Sequence, residues 1–330
     1  MGLLCPNTGE NYACLDFTRF CEEVGRLVAE QLGSNYETGI RNVKKNNQKE
    51  FCGLTIKEGD SEIVPAIYME SFYDSYEKGM SMREIAESVV RIYEEHKNPW
   101  PEGVDLSYNA VRKKIVFRIV NAEKNREMLK DIPHLMLSDL AVYFCCIVSG
   151  DNGRVSSFAI NHDIAAMWDV SRKDLVRLAA RNTPELLTPQ VDPIEKVLVG
   201  LILSGMEQEE LSDEEREAKT QAAMKLQQGN LPMYVLSNSL GQYGAGTLLN
   251  IPFMDSFLNR MEEDFYILPS SVHELILVPV SAAVSEDRLS QMVHEVNEKE
   301  VPEEDFLSDS VYRYGELREQ ICALLCTEEI

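Results

Sequence analysis

The chain has 330 residues, a formal net charge of −23 and a pI near 4.6, so it is too long for one ordinary core and strongly acidic. That charge repels phosphate backbones and anionic lipid heads, which argues against a general nucleic-acid or membrane binder, while 44% hydrophobic residues argue against wholesale disorder. No apolar run approaches the ~20 residues that span a bilayer, and MGLLCPNTGE lacks the basic and apolar regions of a secretory signal, so a cytoplasmic protein is expected.

Taken in chain order, Phe17, Phe20, Val24, Leu27 and Val28 recur at helical spacing, with Gly33 as a stop. Three strand-like runs follow, YETGIRNV, FCGLTIK and EIVPAIYM; Pro65 removes a ladder donor and marks the third as an edge or bulged strand. The basic run RNVKKNNQK (Arg41 to Lys49) reads as a solvated hairpin end, and nucleic acid is not the expected partner. SMRE at Ser81 is a capping box that starts a second helix, which ends at NPWP, and Val111, Ile115 and Ile119 suggest a further helix.

The middle segment contains the strongest hairpin signal, AVYFCCIV and VSSFAI joined through Asn152-Gly153. A helix is expected from Ser171, stopping before NTPEL because Pro184 pushes Thr183 out of the helical region, and PIEKVLVGLIL reads as another. EQEELSDEERE, from Glu207 to Glu217, reads as a linker or a solvated helical arm. The last third reads as strands around YVLSN, the helix PFMDSFLNRM, the hairpin DFYIL and ELILVP, a helix from Ser285 and a terminal helix. The fold class expected is α+β, in two or three small units, each a short antiparallel sheet packed with amphipathic helices. The boundaries expected are 1–125, 126–206, an acidic arm at 207–229, and 230–330.

The cysteines, at 5, 14, 21, 52, 145, 146, 322 and 326, include no C-x-x-C pair. Cys145 and Cys146 are adjacent in a strand and point to opposite faces. The pairs His273-Glu274 and His294-Glu295 lack the H-E-x-x-H spacing, so no metal and no cofactor are expected. In SSVHE, Ser270, Ser271, His273 and Glu274 offer the catalytic candidates. Residues this near in sequence seldom reach a serine-hydrolase geometry, and Ser271-x-x-Glu274 reads more simply as a capping-box-like turn. NSLGQYGAG supplies ligand-binding candidates Asn238, Gly241, Tyr243, Gly244 and Gly246. It lacks the lysine of a phosphate-cradling Walker loop, and its G-x-x-G-x-G order is not the dinucleotide fingerprint. His134, Asp139, His162 and Asp163 carry no recognisable acid–base pattern, and Asn161 reads as a helix cap.

The segments VKKNN, PAIYMESFYDSYEKGMSMREIAESVVRIYEE, NTPEL, YVLSNSLGQYGAG, FYILPSSVHELILVP and EVNEKEVPEEDFLSDSVYRY, in this order, resemble the uncharacterised bacterial family DUF5688. The last third, around ILPSSVHE, also resembles another uncharacterised family found in bacilli. The first resemblance implies a bacterial, intracellular, full-length member and brings no activity, substrate or site residues. From the residues, the expectation is a non-enzymatic protein that binds a partner, another protein. The alternatives are a hydrolase or small-ligand-binding enzyme built around Ser270–Glu274 and Asn238–Gly246, or a nucleotide or phosphate binder using Gly241 to Gly246.

Overall fold

A computed structural model describes residues 15–59, 64, 66–96, 105–151, 154–208, 212–227, 232–269, 271–283 and 285–326. Cys5, Cys14, Pro65, the NPWP stop, the Asn152-Gly153 turn and Ser270 lie outside these residues. The chain divides into two compact units, Met1–Gly103 and Val104–Ile330. The fold is α+β, and the described residues hold antiparallel sheets of three, five and four strands.

In the first unit, helix α1 (Phe17–Leu32) starts where the Asp16 carboxylate accepts the Arg19 amide at 2.9 Å and stops at Gly33, whose φ of 94° suits glycine. Its face Phe20, Cys21, Val24 and Val28 is fully buried, which removes apolar area worth roughly 1.5–3 kcal/mol per large side chain. Strands β1 (Tyr36–Lys44) and β2 (Glu50–Glu58) form the hairpin, paired from Tyr36–Glu58 to Lys44–Glu50. Among the described residues the short β3 (Ala66–Tyr68) pairs only with β2, so the third run is an edge strand. Helix α2 (Glu70–Glu77) was not evident in the sequence; its Tyr73 and Tyr76 rings pack on Phe20 of α1. Helix α3 (Met82–His96) opens with the expected box: Ser81 Oγ accepts the Glu84 amide, and Glu84 accepts the Ser81 amide at 2.9 Å.

In the second unit, α4 (Tyr108–Val111) is a single turn, and Ile115 and Ile119 lie not on a helix but on strand β4 (Ile115–Asn121). The helical reading fails because every residue of β4 is buried, so the strand lacks the alternation that would have identified it. After α5 (Arg126–Leu129) come β5 (His134–Leu137), β6 (Leu140–Asp151) and β7 (Arg154–Ala159), all pairing around the long β6. Cys146 packs into the main core and Cys145 into a smaller cluster with Val116 and Leu187, as the pleat requires. Helix α6 (His162–Met167) is capped by Asn161, which accepts the Ile164 amide at 2.8 Å.

Helix α7 (Arg172–Leu186) carries the Ser171–Asp174 box and continues through Pro184 instead of stopping before it. Side-chain bonds hold that end: Asn182 Nδ2 donates to the Arg112 and Ile115 carbonyls, and Thr183 Oγ1 accepts the Phe117 amide. Strand β8 (Pro189–Pro193) leads into α8 (Ile194–Gln208), and α9 (Asp213–Gln227) packs against α8, so much of the acidic stretch is helical. The five-stranded sheet runs β12 (Tyr312–Arg313), β10 (Phe265–Leu268), β11 (Leu275–Pro279), β9 (Tyr234–Asn238), β8. Helices α10 (Ile251–Met261), α11 (Glu286–Lys299) and α12 (Tyr314–Cys326) complete the unit. One core joins Phe117, Phe144 and Leu175 to Leu236, Phe265, Leu277 and Tyr314, so residues on both sides of 207–229 share it.

Candidate functional site

The segment that follows β9 is the meeting point of the candidates. Asn238, 2% exposed, accepts the Leu240 amide on Oδ1 and donates from Nδ2 to the Gln242 carbonyl at 2.8 Å, folding the turn over itself. Gly241 takes φ 62°, and Tyr243 is left-handed at φ 53°, an uncommon state for a tyrosine. Residues 244–249 then form a fully buried 3-10 turn. The amides of this loop are already committed: Ser239 to the Thr188 carbonyl, Gly241 to Asn238, Gly244 to His273, Ala245 to Val272 and Gly246 to Tyr243. A phosphate cradle needs such amides unbonded and convergent, and here they are spent on the fold.

His273 sits on the turn before β11, and its polar atoms hold this loop. Its carbonyl accepts the Gly244 amide at 2.9 Å and the Ser237 hydroxyl at 2.8 Å. Its Nδ1 lies 3.1 Å from the Tyr243 amide and its Nε2 3.0 Å from Asp305 Oδ1. A backbone amide can only donate, so Nδ1 presents its lone pair and the ring proton sits on Nε2, directed at Asp305. Both nitrogens are therefore engaged. Ser271 Oγ accepts the His273 and Glu274 amides at 3.0 and 3.2 Å, which is the turn-closing role, and it makes no bond to the imidazole. A Ser–His pair needs a ring nitrogen free to take the hydroxyl proton, and this imidazole offers none while the loop is in place.

The pair is nonetheless in a concavity. A groove of about 620 Å³ is lined by His273, Asp305, Ser271 and Glu274 together with Ile276, Met292 and Val296. The His273 and Asp305 side chains are 32% and 28% exposed.

Arg118, not among the residues singled out from the sequence, lies behind this loop. It is 2% exposed on β4, its guanidinium carbon lies 4.0 Å from the Tyr243 ring centroid, and Nη1 has no hydrogen-bond partner among the described residues. A desolvated cation over an aromatic face gains about 2 kcal/mol, which offsets part of the cost of burial. Burial pushes the neighbouring Tyr143 phenol and Cys145 thiol up, with the Arg118 charge acting in the opposite direction on both. The Tyr243 ring in turn lies 5.3 Å from the His273 ring at a tilt of 49°, so Asp305, His273, Tyr243 and Arg118 form one continuous chain of contacts. The only signal for Arg118 was an arginine inside the apolar run IVFRIVN.

The remaining candidates are dispersed. Asp139 accepts the Ser308 hydroxyl at 2.6 Å and those of Ser310 and Tyr312, a knot that ties the β5–β6 turn to the chain near 310. His294 lies on α11, 3.3 Å from Asp309, with its side chain 65% exposed, as its helical position implied. No group of three or more His, Cys, Asp or Glu side chains that could hold a metal exists among the described residues. Among the described residues, no helix is long and apolar enough to cross a membrane.

Fold and site together define an acidic α+β protein of two units, whose most conspicuous imidazole has both ring nitrogens engaged by its own scaffold. The chain belongs to DUF5688, a family of unknown function whose model matches residues 17–316. No curated protein and no solved structure matches it.

Proposed function

We propose that this chain is a non-enzymatic, cytoplasmic bacterial protein that binds another protein through the groove beside His273. The observation that carries the reading is the chemistry of the groove lining. Among the described residues its charged lining, Glu274, Glu300 and Asp305, is all acidic, and Met292 and Val296 beside them are 36% and 45% exposed. An apolar strip edged by carboxylates fits a partner segment that presents an aliphatic side chain flanked by lysine or arginine. The chain's charge of −23 would speed the approach of such a segment.

The test is a photo-crosslinking residue placed at Met292 in the full chain, with Met167, 71% exposed on α6, as the control position. Adducts should form from 292 and not from 167, and Glu274→Lys with Glu300→Lys should abolish them. Adducts indifferent to both charge reversals, or none from 292, would remove the reading.

A second reading, a hydrolase or ligand-binding enzyme around Ser270–Glu274 and Asn238–Gly246, draws support from the imidazole–carboxylate pair standing in a concavity. It requires the Tyr243 amide to release Nδ1 when substrate arrives. Hydrolysis of a panel of nitrophenyl esters that disappears in His273→Gln would favour it over partner binding; ester turnover equal in both proteins would dismiss it.

A further inference from the structure

A second cavity of this acidic protein is lined by cations. Beside β5 and the first turn of α7 lies an open cavity of about 1100 Å³, whose lining includes Lys130, His134, His162, Arg172 and Lys173 and, among the described residues, no Asp or Glu. With 55 acidic residues against 32 basic ones in the chain, a surface of ordinary composition would carry more carboxylates than cations. The remainder of the lining is largely apolar, with Leu135, Ala165, Val170 and Leu324.

The cations are placed against their local interest. Arg172 and Lys173 occupy the first turn of α7, where the helix macrodipole disfavours positive charge. The Ser171–Asp174 box engages the Ser171 and Asp174 amides of that helix end, and Arg172 and Lys173 line the cavity beside it. Lys130 is held by Glu127 at 2.6 Å, yet an ammonium with three protons can donate to a second acceptor. His134 Nδ1 lies 2.8 Å from the Ile132 carbonyl, which only accepts, so Nδ1 carries the proton and Nε2 offers a lone pair. A ligand that combines negative charge with an exchangeable proton satisfies both the cations and that lone pair. A phosphate monoester does so in its monoanionic form, which keeps one proton below its second ionisation at about pH 6.

We propose that this cavity binds a small organic phosphate, with the phosphoryl group among Lys173, Arg172 and His134 and the organic portion over Leu135, Val170 and Leu324. The site is separate from the groove beside His273, and Glu274→Lys leaves it intact.

Titration calorimetry of the full chain with phenyl phosphate, inorganic phosphate and phenol tests it. Phenyl phosphate should bind saturably and lose affinity as salt is raised, inorganic phosphate more weakly, and phenol not at all. Arg172→Glu with Lys173→Glu should weaken phenyl phosphate by about tenfold or more while the circular dichroism spectrum stays unchanged. Lys44→Glu with Lys45→Glu, on the hairpin of the other unit, should leave binding as it was. The proposal fails if no phosphate probe saturates, if phenol binds as well as its phosphate, or if the two double variants behave alike. Should the first double variant not fold, His134→Leu, which removes the lone pair without adding charge, must still weaken phenyl phosphate, and unchanged affinity there overturns the site.

Discussion

Substituting Gly244 by alanine tests the loop architecture most directly. A Cβ at this position would stand 2.7 Å from Ser237 Cα and nearer still to Ser237 Oγ and the His273 carbonyl oxygen. Two of these neighbours are backbone atoms in paired strands or their turn, so they cannot rotate away. Relief requires the loop to lift, which stretches the Gly244 amide bond, and Ser237 Oγ to swing away, which gives up its bond to that same carbonyl. Overpacking a rigid site costs about 1–3 kcal/mol and each weakened bond about 1 kcal/mol, so Gly244→Ala should lose about 3–5 kcal/mol. Gly246 is the internal control. It lies in the same buried turn, but a Cβ there meets nothing closer than the Phe117 carbonyl at 3.4 Å. Gly246→Ala should stay within about 1 kcal/mol of the parent. Urea unfolding followed by Trp168 fluorescence in a Trp100→Phe background reports the unit concerned, since Trp168 is 8% exposed in its core. A Gly244→Ala protein as stable as Gly246→Ala would refute the close packing of strand, loop and turn on which the site description rests.

Other consequences are equally open to measurement. His273→Ala removes an acceptor from the Tyr243 amide and a donor from Asp305, for a loss of about 1–2 kcal/mol, whereas Asp305→Asn keeps an acceptor oxygen for Nε2 and should cost less; denaturant midpoints in the reverse order would contradict the assigned ring proton. Thr183→Val strands the buried Phe117 amide and should cost about 1–3 kcal/mol, while Thr183→Ser should be mild; equal losses by the same urea assay would speak for a packing effect instead. The Arg318 guanidinium and the Tyr314 hydroxyl hold the Asp255 carboxyl below its ordinary range. Its folded value lies below the unfolded value of about 3.9, so its stabilisation is complete above that pH and lost as pH falls through the folded value. Asp255→Asn should accordingly flatten the acid limb of the stability–pH curve, and superimposable limbs would exclude the pair as a contributor. Burial pushes the Cys146 thiol up to about 11 and raises Cys21 as well, so alkylation at about pH 8 should label exposed Cys326 and spare both until urea is added.

What the sequence made legible was local. The boxes at Ser81 and Ser171 were read from residues three apart, the Asn161 cap from its place between a strand and a helix, and Ser285 as the start of its helix. The edge position of the third strand followed in the same way from a single proline. Errors arose where tertiary burial overrode local pattern. Ile115 and Ile119 mimic a helical face only because β4 is covered on both sides, and Pro184 stays helical because Asn182 and Thr183 bond across to β4. The turn chemistry of SSVHE was visible, but the partner of its imidazole was not, because Asp305 lies 32 residues away on another segment. Arg118 was hidden for the same reason, since nothing near it in sequence announces that Tyr243 will cover it. Both the groove and the cation-lined cavity are built from side chains on elements far apart in the chain, and neither could be seen before those elements were packed.

The knot at Asp139 bears on how the protein is made. Asp139 waits for Ser308, 169 positions later, and Asn121, whose amide donates to the Leu307 carbonyl, waits for a residue 186 positions downstream. At ribosomal speeds of about 5–20 residues per second, the nascent four-stranded sheet stands unsealed for roughly 10–40 seconds. During that interval its unclosed face is a natural client for holdase chaperones, and slowing elongation between codons 140 and 300 should raise aggregation more than slowing it earlier.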